Sequence, residues 1–104
     1  MSEDIPEVAT IGAIVHGNVQ GVGFRFFVSR AATRFGVAGW VKNLPDGSVE
    51  LQATGSREAL DRFLNSLSQA PPGSSVSRIE KATVETKETP SDRHGRGGGF
   101  RILY

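Results

Sequence analysis

The 104-residue sequence predicts an α+β sandwich, with two helices on one face of a mostly antiparallel sheet, in the order β-α-β-β-α-β plus a terminal strand. Three observations lead to this class. Two segments alternate apolar and polar residues with period two, at Ile11, Ala13, Val15 and at Val49, Leu51, Ala53. Two others carry apolar residues at helical spacing, Phe24, Phe27, Val28, Ala31, Phe35 and Leu60, Phe63, Leu64, Leu67. Glycine- and proline-rich turn signals separate them in the alternating order that a two-layer domain requires.

Each element has its own justification. TIGAIVH (10–16) is rich in β-branched residues and reads as the first strand. The first helix follows, with Arg30 and Arg34 in its last turns favouring the dipole and Gly36 as its stop. AGWVKN (38–43) is a short strand, and Leu44-Pro45-Asp46-Gly47 fits a type I turn, with proline second and glycine fourth. SVELQAT (48–54) completes a hairpin with one buried face. Ser56 is the expected N-cap of the second helix, with Glu58 in its first turn and Pro71-Pro72-Gly73 as its end. VSRIEKATVET (76–86) is a further strand whose alternation slips near Lys81, where a β-bulge is expected. SDRHGRGGG (91–99) reads as a mobile loop and FRILY (100–104) as the last strand. Residues 1–8 form a flexible tail on this reading and 9–104 a single domain. The plan is that of the ferredoxin-like sandwich.

Composition excludes several function classes. Twelve basic against eleven acidic residues leave a net charge of +1, without the basic excess of a nucleic-acid or membrane-surface binder. The absence of cysteine removes disulfides, thiolate nucleophiles and zinc–cysteine sites, and the two histidines, His16 and His94, lie too far apart in sequence to propose a metal centre. The acidic start MSEDIPEVAT has no apolar core for a secretory signal, and no apolar run approaches a membrane span. A cytoplasmic monomer without cofactor or metal is the expectation.

The informative stretch is VHGNVQGVGFR (15–25). Gly17, Gly21 and Gly23 permit positive φ and close backbone approach to a ligand. Successive N–H groups ahead of a helix N-terminus make a concave anion site, and Arg25 adds a planar, permanently charged fork for phosphate oxygens. Other phosphate loops fail on the letters: GVGFRF has neither the Lys nor the Ser/Thr of a nucleotide P-loop, and Phe26 stands where a dinucleotide fingerprint needs glycine. No cysteine is present to attack, so water is the attacker. The first two strands of a β-α-β crossover run parallel, which brings residues 17–25 to the same sheet edge as Asn43. The Asn43 carboxamide can hold a water in line without taking its proton. With no strong base nearby, the substrate needs a good leaving group, and a carboxylate leaving from a mixed carboxylic–phosphoric anhydride qualifies.

VHGNVQGVGFR and GWVKNLPDGSVELQATG (39–55) resemble both signatures of the acylphosphatase family at their defining positions, and with the element order and FRILY the likeness covers nearly the whole chain. The resemblance implies metal-independent hydrolysis of acyl phosphates to a carboxylate and inorganic phosphate. It also implies that Arg25 and the backbone amides of Asn18, Val19, Gln20, Gly21, Val22 and Gly23 bind the phosphoryl group, that Asn43 orients the water, and that a phosphate oxygen of the substrate receives the water's proton. Two departures stand out: Leu44 replaces a threonine of several members, and the 91–99 loop is longer than usual.

Other readings are weaker. His16 is expected to occupy a strand end, Trp40 and the phenylalanines to fill the core, and Arg93, His94 and Arg96 to be solvated. RNA-recognition modules share the element order but stack bases on aromatics of strands one and three, and TIGAIVH and SVELQAT contain none. An acylphosphatase-like domain of a larger carbamoyl-phosphate-using machine would need partner domains, and this chain stops at Tyr104. Nothing in the sequence reads the acyl part of the substrate.

Overall fold

The computed structural model describes residues 8–21, 23–69, 73–84 and 99–103. Its elements are β1 (Val8–Asn18), α1 (Phe24–Phe35), β2 (Ala38–Asn43), β3 (Val49–Ser56), α2 (Arg57–Leu67), β4 (Ser75–Val84) and β5 (Phe100–Leu103). The sheet order is β4-β1-β3-β2-β5, antiparallel except for the β2–β5 pair. This is the ferredoxin-like α+β sandwich that the pattern predicts. Residues 1–7, most of the 91–99 loop with Arg93, His94 and Arg96, and Tyr104 lie outside the described residues.

The core forms where the alternating strand faces meet the helix stripes. Ala13 and Val15 of β1, Val41 of β2 and Leu51 of β3 point at one face of the sheet. Phe24 and Val28 of α1 and Phe63 and Leu67 of α2 are buried against them. Each fully buried Leu, Val or Phe side chain contributes about 1.5–3 kcal/mol, so this one layer supplies most of the driving force for folding.

Local signals set most of the boundaries. Ser56 caps α2 by accepting a bond from Ala59 N–H at 3.0 Å. Gly36 closes α1 in the left-handed conformation, its N–H bonded to the Ala32 and Thr33 carbonyls. The turn after β2 is closed by Gly47 N–H donating to the Leu44 carbonyl at 3.1 Å, and Leu44 N–H donates to the Ser48 carbonyl at 2.9 Å. Inside it, the Asp46 carboxylate accepts from Ser48 N–H at 2.9 Å and from Ser48 Oγ–H at 2.5 Å.

Four expectations need correction. The second helix ends at Leu67 with Ser68 as its C-cap, before the prolines, because the Ser68 and Gln69 N–H groups already turn back onto Asn65 and Ser66. The register shift falls between His16 and Gly17, whose partners on β4 are Arg78 and Val76, and not near Lys81. The extra residue Ser77 lets Val76 and Ile79, three apart, both pack on the core. Trp40 is not in the core: Val41 takes the buried position on β2, which turns Trp40 to the opposite face, where Lys42 lies over its ring. Phe26 is 58% exposed on α1.

Two glycines are required by close strand packing. At Gly39 (φ 144°) a Cβ would run into the Gln52 carbonyl of β3. At Gly17 (φ 131°) it would meet the Ser75 carbonyl and, at 2.8 Å, Ser77 N of β4. The first glycine of the loop motif therefore serves strand packing. Gly39→Ala is expected to lower unfolding free energy by about 2 kcal/mol or more. At Gly55, whose nearest contact is the Val37 Cγ1 methyl at 3.1 Å, the same change is expected to cost less; urea titrations compare the two.

The Asp46 turn also gives stability a pH dependence. The bonds from the Ser48 hydroxyl and then its N–H hold the Asp46 carboxyl below the ordinary carboxylate value. A carboxyl lowered in the folded state stabilises fully above its unfolded pKa, about 3.9, and loses that contribution as pH falls through the lower folded value. In Asp46→Asn, stability followed by denaturant midpoint is expected to fall less steeply with acidification below about pH 4 than in the parent chain.

Candidate active site

Because β3 pairs antiparallel with both β1 and β2, those two strands run in the same direction and end at one edge of the sheet. β1 finishes at Asn18, β2 at Asn43, and α1 starts at Phe24 just after the glycine loop. A cavity of about 210 Å³ opens there, lined by Val19, Gly21, Gly23, Phe24, Arg25, Phe26, Asn43 and Ile102. The two residues expected to act together, Arg25 and Asn43, line the same space.

The loop backbone is set by glycine chemistry. Gly21 and Gly23 have φ of 76° and 78°, the left-handed region that glycine enters without strain. Gly23 is also the N-cap of α1, where no side chain caps the helix and no acidic residue stands in the first turn. The leading N–H groups of α1 therefore have no anionic side chain from their own helix to complement them. Val19 is buried and anchors the start of the loop in the core. Asn18 ends β1 opposite Ser75, its side chain donating to the Gly73 carbonyl at 3.0 Å, and it does not line the cavity. Val22 lies outside the described residues.

Arg25 is half-buried, and its Nη1 donates to the Leu103 carbonyl at 2.9 Å. That carbonyl belongs to β5, which lies parallel beside β2 with Leu103 opposite Lys42, so the last strand orients the guanidinium at the cavity. Asn43 is exposed at the end of β2, opposite Val49, and its carboxamide makes no hydrogen bond among the described residues. Its position comes from the strand register and the turn that follows.

Gln20 was expected to contribute only its backbone amide, and its side chain turns out to do more. Its Nε2 donates to the Leu44 carbonyl at 2.8 Å and to the Ser48 carbonyl at 2.8 Å, tying the glycine loop to the turn after Asn43. Both contacts reach across the sheet edge, so no local spacing pattern could have revealed them. Leu44, the departure from the threonine of several relatives, takes part through its backbone.

His16 is away from the cavity, within 3.5 Å of Glu80 on β4, whose carboxyl is held low by the Arg78 hydrogen bond and then by His16. Among the described residues no three His, Asp or Glu side chains converge on a point where a metal could bind. No helix among them is long and apolar enough to cross a membrane.

Comparison with known proteins identifies the family. The family profile described as Acylphosphatase matches residues 11–102. The acylphosphatase of Archaeoglobus fulgidus is 48% identical over 77 residues, covering 72% of this chain and 86% of that protein. Among solved structures, the acylphosphatase of Bacillus subtilis superposes with a TM-score of 0.79 at 36% identity, covering 94% of this chain and all of the other (100%). The acylphosphatase of Coxiella burnetii gives a TM-score of 0.80 at 31% identity, covering 99% and 100%. A likeness in sequence and fold over this much of the chain leaves one assignment: the chain belongs to the acylphosphatase family and is an enzyme that hydrolyses acyl phosphates.

Proposed function

We propose that Arg25 and the loop amides hold the phosphoryl group of an acyl phosphate while Asn43 places the attacking water. The observation that carries this reading is the convergence of Arg25, the positive-φ glycines and Asn43 on one cavity at the N-terminus of α1. The guanidinium donates charge-assisted bonds to phosphate oxygens, each contributing roughly 1.5–3 kcal/mol. Helix and loop N–H groups add donors that are already oriented, so charge developing on the oxygens is met without reorganisation.

The water donates one hydrogen bond to the Asn43 carboxamide oxygen and attacks phosphorus in line with the bridging oxygen. A new P–O bond forms to the water oxygen as the P–O bond to the bridge breaks, and the acyl group departs as a carboxylate. The water's proton moves to a non-bridging phosphate oxygen, giving inorganic phosphate. A carboxylate with a conjugate acid pKa near 4 leaves without a proton donor, so the site needs no general acid. The backbone amides of Val19, Gly21 and Gly23 are the loop donors that this reading favours, since their residues line the cavity. Those of Asn18 and Gln20 stand behind them, with the Gln20 side chain holding loop and turn at a fixed spacing.

Hydrolysis of benzoyl phosphate, followed by its ultraviolet absorbance with EDTA present, tests the reaction and the site together. Asn43→Ala is expected to lower kcat by about 100-fold or more while phosphate still binds as a competitive ligand. Arg25→Gln is expected to weaken both substrate and phosphate binding. Near-normal turnover in Asn43→Ala would remove the water-positioning role. Gln20→Ala is expected to lower kcat by about 10-fold with a smaller change in phosphate affinity, because it loosens Asn43 relative to the loop; weaker phosphate binding with kcat unchanged would show that it acts only on binding.

A further inference from the structure

A second, larger hollow of about 610 Å³ runs along α1 from Gly23 to Phe35, against the C-terminal end of α2 at Ser66 and Gln69. Gly23 and Phe26 line both spaces, so the groove and the phosphate cavity share a wall at the start of α1. Its walls include Phe27, Arg30, Arg34 and Phe35, and among the described residues no acidic side chain lines it. Phe26, at the shared rim, is 58% exposed. The Arg30 guanidinium sits 5.7 Å from the Phe26 ring centroid, and Arg34 sits 5.3 Å from that of Phe35. Among the described residues neither arginine makes an ion pair.

This arrangement follows from helix geometry. Phe26, Arg30 and Arg34 are successive i, i+4 neighbours, one above the other on the helix surface. Arg30 lies seven residues, roughly 10 Å, along the axis from Gly23. Helical side chains lean towards the N-terminus, which brings its charge back over Phe26 to the mouth of the cavity. Stacking on the ring holds the guanidinium plane in place while leaving its edge donors to other partners. Beside the phosphate cavity the groove therefore offers an apolar ring and a cation, with no acid among its described lining residues.

We propose that the α1 groove receives the acyl part of the substrate, and that Arg30 selects acyl phosphates whose acyl group carries a second, distal anionic group. The inference rests on the phosphate cavity being the reaction site, and deepens it by naming a substrate class. The apolar ring packs against the acyl skeleton, and Arg30 pairs with the distal anion. Arg34, one turn further on, extends the same basic edge for longer acyl groups.

The test compares kcat/KM for two rigid substrates, 4-carboxybenzoyl phosphate and its neutral carboxamide analogue 4-carbamoylbenzoyl phosphate. The readout is the ratio between them, so general losses of activity cancel. In the parent chain the ratio is expected to exceed that in Arg30→Gln by about 5-fold, the range of a solvent-exposed charge pair. Raising the salt concentration is expected to close that gap, and Arg30→Lys to retain part of it. An identical ratio in the parent chain and Arg30→Gln overturns the proposal, as does a difference that persists unchanged in high salt. Hydrolysis of neither compound by the folded parent chain overturns the reading of the phosphate cavity itself, and this inference with it; hydrolysis of both with an unchanged ratio overturns only the role of Arg30.

Discussion

Pairing of β3 between β1 and β2 is the constraint on which the rest of the site depends. It makes the outer two strands parallel, so their C-terminal ends share one edge of the sheet. Only five residues separate β1 from α1, and the helix must therefore begin at that edge too. β5 then adds in parallel beside β2 and delivers the Leu103 carbonyl to Arg25. The site is thus built from strand ends and a helix start, elements whose positions the buried core sets. Loss of register in the central strand would separate Arg25 from Asn43 without altering either residue.

Within that frame, backbone contacts do most of the fine positioning. The Leu44 carbonyl accepts from both the Gln20 amide and the Gly47 N–H, and the Ser48 carbonyl accepts from Gln20 and the Leu44 N–H. Asp46 holds Ser48 from the other side. The turn after Asn43 is therefore fixed by backbone groups together with three polar side chains, those of Gln20, Asp46 and Ser48. Position 44 works here through its carbonyl and N–H. The Asn43 carboxamide, positioned by strand register and this turn, makes no hydrogen bond among the described residues.

A net charge of +1 gives no hint of how charge is arranged around the cavity. Arg25, Arg30 and Arg34 lie on one helix that begins at the loop, and among the described residues no acidic side chain lines either hollow there. Arg25 in the first turn opposes the helix dipole, an arrangement that an anion between the two would reverse in sign. Among the described residues, acidic side chains pair elsewhere, as with Glu58 beside Arg62 on α2 and Glu80 beside Arg78 on β4. Clustered charge of one sign can therefore exist within a nearly neutral chain, which a net count does not reveal.

Much of this protein was legible in the letters because it depends on near neighbours. Alternation at Val49, Leu51 and Ala53, the Ser56 cap, the Gly36 stop and the Leu44–Gly47 turn each arise within a few residues, and the structure repeats them. The order of these elements, with the parallel rule for a crossover, was enough to bring the glycine loop towards Asn43. The contacts that orient the site are of another kind. Gln20 finds its partners 24 and 28 residues away, and Arg25 finds Leu103 78 residues away. The true duty of Gly17 depends on the β4 backbone, and the outward turn of Trp40 depends on Val41 taking the core. Periodicity and turn chemistry state which residues can form an element and which face it buries. Only packed strands decide which distant carbonyl lies within 3 Å of a side chain, because that distance is set by register and core volume, and no local pattern encodes either.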